Sequence, residues 1–152
     1  MIYRAYYAFI RAPRMNSRGE NTSAIFGFVV TLEDLLKRIK PSHIAVAFDP
    51  AGPTFRHEAF ELYKAQRQET PEDIRWAVPR IKQILQAMNI PVLEVPGYEA
   101  DDVIGTIAYK AESQGFEVYM ATPDKDYGQL VTEHIFMYRP RHTGGFEKLG
   151  PQ

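Results

Sequence analysis

The sequence predicts an α/β domain built on a mainly parallel sheet. Short apolar runs, His43–Phe48, Ile90–Val95 and Glu117–Ala121, alternate with longer segments of helical period, the order expected of strand–helix–strand units. Each run also leads into acid: Asp49 after the first, Gly97-Tyr98-Glu99-Ala100-Asp101-Asp102 after the second, Thr122-Pro123-Asp124-Lys125-Asp126 after the third. In a parallel sheet the C-terminal ends of the strands open onto one edge, and ligands bind there. The six carboxylates are thus expected to share one crevice.

Taken in order, Met1 to Phe9 has helical spacing with no strand before it, and Arg11 to Glu20, with Pro13, Asn16, Ser17 and Gly19, reads as a basic loop. Asn21 or Thr22 can cap a helix whose apolar face is Ile25, Phe28, Val29, Leu32, Leu35, Leu36 and Ile39, closed by Pro41. After the first strand, Ala51-Gly52-Pro53 marks a turn. From Thr54 to Thr70 apolar residues are too sparse for a buried helix, and Phe60 and Tyr63 interleave with Arg56, Lys64 and Arg67. That composition suits phosphates and stacked bases, and it suits an ordinary solvated helix as well. Thr70 caps the next helix, with Pro71 at its first position, Ile74, Val78, Ile81, Leu85 and Met88 on its apolar side and a kink expected at Pro79.

Pro96-Gly97 breaks the second strand, and Val103, Ile104, Ile107, Ala108 and Ala111 give the acidic segment a helical period until Gly115. Beyond Asp126 come a helical turn from Tyr127 to Val131 and a strand from His134 to Tyr138. A hairpin turn at Thr143-Gly144-Gly145 then leads to the chain end.

A chain of 152 residues, 45% hydrophobic and 24% charged, is sized for one domain with a real core. No apolar run approaches the roughly 20 residues of a membrane span, and no signal-peptide pattern opens the chain. The expected location is cytoplasmic, with which the absence of cysteine is compatible. The net charge of −1 hides an asymmetry: Met1 to Arg18 carries four arginines and no acid, while Glu99 to Asp126 carries seven acids against two lysines. A polyanion held by cations while its reactive phosphate meets metal suits such a division; a mosaic solvated surface is the alternative.

Acids in a helix's first turn have an ordinary explanation, since unpaired N–H groups and the macrodipole favour them by about 0.3–1 kcal/mol each. Convergence of three such exits is harder to explain this way, because self-repulsion opposes it unless a cation intervenes. Hard divalent ions such as Mg²⁺ or Mn²⁺ take oxygen ligands of this kind. Without cysteine, and with only four scattered histidines, zinc lacks its usual ligands.

Tyr3-Arg4-Ala5, Phe48-Asp49, Pro53-Thr54-Phe55-Arg56-His57, Tyr63-Lys64-Ala65 with Arg67, Gly97 to Asp102, and Thr122 with Asp124-Lys125-Asp126 together resemble the successive motifs of the flap endonuclease (5′-nuclease) family. The best match is to the 5′→3′ exonuclease domains of bacterial DNA polymerases, in order and over essentially the whole chain. The resemblance implies a PIN-like three-layer fold, two divalent metal ions (Mg²⁺ or Mn²⁺), and cleavage of 5′ flaps or nicked or gapped DNA in replication and repair. It also implies a polymerase domain on the same full-length chain. By the same resemblance Asp49, Glu99, Asp101, Asp102, Asp124 and Asp126 match the metal-binding acids. Arg4 and Lys64 match positions that contact the reacting phosphate, and Arg56, Tyr63 and Arg67 match the arch beside which the 5′ strand passes. Two metals about 4 Å apart supply hydroxide near neutral pH and stabilise the leaving oxygen.

Family members differ at both ends. They begin with a strand ending in Leu-x-Asp-Gly, whose aspartate is a metal ligand, and they continue beyond the position of Gly150 into further aspartates and a helix-hairpin-helix that grips duplex DNA. Neither is present in these 152 residues, so residues 1–152 are expected to be one domain, the N-terminal part of the exonuclease domain, and to be inactive alone. The family's first strand lies between those ending at Asp49 and Asp124, so the edges left bare invite self-association. Direct pairing of Ile44–Phe48 with Val118–Ala121 is one way to close them. Two rival functions are a non-catalytic nucleic-acid-binding module of PIN-like fold and a small-molecule phosphohydrolase or receiver-like domain, for which the basic-aromatic segment has no evident use.

Overall fold

The structure, a computed structural model, describes residues 12–50, 71–122, 124–141 and 145–151, with Lys125 and Asp126 described by their backbone alone. The chain forms two compact units, Met1–Val46 with Lys64–Val92 and Ala47–Tyr63 with Leu93–Gln152.

In the first unit, helices α1 (Ser23–Ile39) and α2 (Glu72–Ala87) pack against each other. Ala24, Phe28, Leu32 and Leu35 are buried on α1, and Ile74, Ala77, Ile81 and Leu85 on α2. Both sets recur at three- and four-residue spacing, so each helix turns one apolar stripe inward. Thr22 holds the N-cap position of α1, yet its hydroxyl donates to the Arg14 carbonyl at 2.9 Å. Asn21 does the local work instead: its Oδ1 accepts from the Ser23 N–H at 3.0 Å, and its amide donates to Asp73 in the first turn of α2 at 3.3 Å. Pro71 occupies the N-cap position of α2 and not the first helical position, and the helix continues unbroken across Pro79. Thr70, the expected cap, lies outside the described residues.

Strands β1 (Val46–Ala47) and β2 (Val92–Leu93) form a two-stranded sheet. Hydrogen bonds from Val46 N–H to Pro91 C=O (3.0 Å) and from Phe48 N–H to Leu93 C=O (2.8 Å) advance in the same direction along both segments, which makes the pairing parallel. Both strands are shorter than the apolar runs that contain them. Local chemistry bears on both starts: Pro91, just before β2, has no N–H to give a ladder, and Ser42 and His43 bond to each other at 3.0 Å in a bend ahead of β1.

The second unit holds a three-stranded sheet in the order β3 (Val118–Ala121), β4 (Ile135–Pro140), β5 (Phe146–Leu149), with helix α3 (Ala100–Ser113) against it. β3 runs parallel to β4 in the register Val118–Ile135 to Ala121–Tyr138, and β4 runs antiparallel to β5. Ala108, Met120, Tyr127, Ile135 and Met137 form its buried core, with Ile104, Val118, Val131 and Leu149 packed around them. Ile107, placed by its spacing on the same stripe, is 41% exposed.

Strand β5 is not foreseen from the sequence, where the residues after the hairpin turn read as a chain end. Phe146 to Leu149 carries two charges in four positions, and its stabilisation comes from across the sheet: Arg139 pairs with Glu147 at 2.5 Å, and Lys148 Nζ lies 4.0 Å from the Phe136 ring centre. Arg141 N–H donates to Gly145 C=O at 2.9 Å, while Thr143 and Gly144 lie outside the described residues. Among the described residues no ladder joins β1 to β3; each strand belongs to its own sheet.

Candidate active site

The acidic edge is built around the start of α3. Val95 to Tyr98 is a turn closed by Tyr98 N–H to Val95 C=O at 3.1 Å, with Pro96 and Gly97 at its centre. Gly97 adopts φ +86°, a conformation that a side chain makes costly, so the glycine is what lets strand β2 turn directly into the helix. Glu99 then takes the extended N-cap conformation and forms a reciprocal capping box with Asp102, whose Oδ2 accepts from the Glu99 N–H at 3.0 Å. Glu99 is only 5% exposed, and among the described residues no buried side-chain nitrogen or oxygen lacks a partner.

A third carboxylate reaches this helix end from another strand. Asp49, one residue past the buried Phe48, accepts from the Ala100 N–H through Oδ1 at 2.7 Å. The start of α3 therefore carries Asp49, Glu99, Asp101 and Asp102, and its unpaired N–H groups and dipole offset part of their mutual repulsion.

Asp124 arrives from β3. Thr122, 8% exposed, accepts the Asp124 N–H on Oγ1 at 3.1 Å and so turns the chain at the strand exit. The 3₁₀ helix Lys125–Leu130 follows and places Tyr127 with its ring in the core and its hydroxyl at the acids. That hydroxyl donates to Asp101 Oδ1 at 2.6 Å. Burial, foremost, pushes the Tyr127 pKa well above its usual value; the hydrogen bond to Asp101 and the charges of Asp101, Asp124 and Asp49 push it further in the same direction. Tyr127 therefore remains a neutral donor, and carboxylates from three separate strand exits act on one hydroxyl.

Of the candidate site residues, Asp49, Asp101 and Asp124 are exposed carboxylates whose charges raise the Tyr127 pKa, Asp101 alone through a direct hydrogen bond, while Glu99 and Asp102 are engaged in the capping box. Asp126 is described by its backbone alone, and Arg4, Arg56, Tyr63, Lys64 and Arg67 lie outside the described residues. Tyr127 is the site residue that sequence reading missed. Its available signal was its place three residues after Asp124 on a helical turn, a spacing that brings side chains to one side of a 3₁₀ helix.

Among the described residues no three His, Cys, Asp or Glu side chains stand close enough to enclose one ion. The donor chemistry nonetheless fits a hard cation. Mg²⁺ keeps several waters and is held by one or two carboxylates together with substrate phosphate, so it does not require a complete protein cage. Asp49, Asp101 and Asp124 offer oxygens of that kind on the exposed side of the edge.

Parallel strand pairs whose exits carry acids, two of them meeting at the start of one helix, define an α/β domain. The model of the 5′-3′ exonuclease, N-terminal resolvase-like domain matches residues 1–151. The chain belongs to that family. It is 44% identical over 145 residues to DNA polymerase I of Chloroflexus aurantiacus, covering 95% of this chain and 15% of that protein. It is 40% identical over 147 residues to the 5′-3′ exonuclease of Aquifex aeolicus, covering 97% of this chain and 50% of that protein. Among solved structures, the D15 flap endonuclease of bacteriophage T5, in a pseudo-enzyme–product complex with DNA and metal ions, matches with a TM-score of 0.69 at 20% identity, covering 96% of this chain and 55% of that one. This likeness shows the fold, PIN-like as the sequence motifs imply. The chain spans at most half the length of these two relatives.

Proposed function

We propose that residues 1–152 belong to one domain, the N-terminal part of a metal-dependent 5′→3′ exonuclease or flap endonuclease that hydrolyses phosphodiesters of 5′ flaps and nicked or gapped DNA. A polymerase domain on the same full-length protein is part of this reading, supported by the polymerase I relatives. So is a cytoplasmic location. The observation that carries the function is the meeting of Asp49 and Asp101 at the first turn of α3, with Asp101 bonded to the hydroxyl of Tyr127, three residues past Asp124, in a chain of this family.

Asp49, Glu99, Asp101, Asp102, Asp124 and Asp126 are the residues proposed to hold two divalent ions, Mg²⁺ or Mn²⁺, with Glu99 and Asp102 also holding the helix end that presents the others. Bound there, the ions supply a hydroxide nucleophile near neutral pH and neutralise charge on the leaving oxygen. Arg4 and Lys64 are proposed to bind the reacting phosphate, and Arg56, Tyr63 and Arg67 the 5′ strand.

The test grafts these residues into the Aquifex exonuclease in place of its matching segment and follows cleavage of labelled 5′-flap, nicked and single-stranded DNA with Mg²⁺ or Mn²⁺. Metal-dependent cleavage, abolished by Asp124→Asn, is expected. A folded chimera that binds DNA without cutting it in either metal overturns the nuclease reading in favour of a binding module. The 152 residues alone are expected to be inactive, and cleavage by them refutes that expectation.

A further inference from the structure

Tyr127 is a buried tyrosine to which neither the family motifs nor the proposed chemistry gives a role. Its ring belongs to the core cluster with Ala108, Met120, Ile135 and Met137, drawn from α3, β3 and β4, so the ring is held from three sides. At 5% exposure it has little room to change rotamer. Only its hydroxyl reaches the acidic edge, where it donates to one oxygen of Asp101, a residue 26 positions earlier on another element. Asp101 itself is exposed and sits in the first turn of α3, where a short carboxylate side chain has several rotamers open to it.

We infer that Tyr127 is a positioning residue: a core-anchored phenol that fixes the Asp101 carboxylate by one oxygen and leaves the other directed for a divalent cation. The inference rests on the proposed metal-binding role of Asp101. Hydrogen-bonded partners of this sort orient ligating carboxylates, and their loss commonly weakens metal affinity by about 10–100-fold. A phenylalanine at 127 keeps the ring in the core and removes only the donor. Asp101 then loses its fixed orientation, and a cation must order it on binding.

The experiment titrates the 152-residue chain with Mn²⁺, following free ion by electron paramagnetic resonance, for wild type, Tyr127→Phe, Asp101→Ala and the double variant, with melting temperatures recorded in EDTA. The expected result is an affinity loss of about 10-fold or more for Tyr127→Phe. In the Asp101→Ala background the same substitution is expected to change affinity by less than about twofold, because its effect runs through that carboxylate. Equal Mn²⁺ affinity in wild type and Tyr127→Phe overturns the inference and leaves the metal-site reading standing. A loss of the same size in both backgrounds also overturns it, showing that the hydroxyl acts through general structure. If wild type itself binds no Mn²⁺, the metal-site reading fails, and the inference with it.

Discussion

Asp49→Ala separates the two jobs this carboxylate can do. The structure gives it a definite mechanical task, since its Oδ1 accepts from the Ala100 N–H at 2.7 Å and so caps α3 from a different strand. Loss of a capping acceptor costs about 0.5–2 kcal/mol, and loss of a negative charge at a helix N-terminus about 0.3–1 kcal/mol. Opposing this, removing the charge relieves repulsion from the three neighbouring acids Glu99, Asp101 and Asp102, by about 0.2–0.5 kcal/mol for each like-charge pair. The balance is a net destabilisation of about 1 kcal/mol in the metal-free protein, or a melting point lower by about 2–4 °C for a chain of this size. Asp49→Asn keeps an acceptor while removing the charge, so its loss is expected to be smaller. Thermal unfolding followed by circular dichroism in EDTA measures both. An Asp49→Ala protein that melts at or above wild type would refute the reasoning, because repulsion would then outweigh the cap.

Asp124→Asn is expected to leave the metal-free fold intact while weakening Mn²⁺ binding in a calorimetric titration. Asp102→Ala, which opens the capping box, is expected to cost about 1 kcal/mol of stability even without metal, while Asp102→Asn retains an acceptor. Lys64→Ala is expected to weaken DNA binding with a flatter log K against log salt slope, by about 1, and without a change in melting temperature. Tyr127, whose pKa is raised, holds its proton in the folded state after the unfolded state has lost it. Its contribution to stability is therefore complete below about pH 10 and declines above that by about 1.4 kcal/mol per pH unit. Urea denaturation of wild type and Tyr127→Phe between pH 8 and pH 11.5 (about the range that brackets an ordinary tyrosine) checks the sign, since the variant should lack that part of the decline.

The acidic edge was legible because most of it is written in local chemistry. Pro96-Gly97 encodes the turn, Glu99 and Asp102 lie at capping-box spacing, and Thr122 to Asp126 follows an apolar strand directly. What the sequence hid is what depends on distant partners. Asp49 meets Ala100 across 51 positions, and no local pattern at either residue announces the bond. Tyr127 reads as one aromatic residue in a short helical turn until the fold sets its hydroxyl beside Asp101. Strand β5 was hidden for a related reason: Glu147 and Lys148 look like tail residues, and it is Arg139 and the Phe136 ring on the adjoining strand that give them partners. The short length of β2 is, by contrast, foreshadowed by Pro91 at its start, which has no N–H to give a ladder.

These contacts also explain how the edge tolerates its charge. Asp49 has the Ala100 N–H, Asp101 the Tyr127 hydroxyl and Asp102 the Glu99 N–H, so each of these carboxylates meets a protein donor before any cation is considered. A carboxylate has two oxygens and about four lone-pair sites. A single protein donor therefore orients the group without exhausting it. The arrangement bears on the repulsion argument raised by the sequence, because helix N–H groups and a buried phenol offset part of the cost of bringing these acids together. It follows that metal affinity and fold stability are separable at this edge. Asp124→Asn keeps a side-chain acceptor of the same shape and should act chiefly on the cation, whereas substitutions at Asp49 and Asp102 should act on both. A melting temperature in EDTA that fell as far for Asp124→Asn as for Asp49→Ala would show that the separation does not hold.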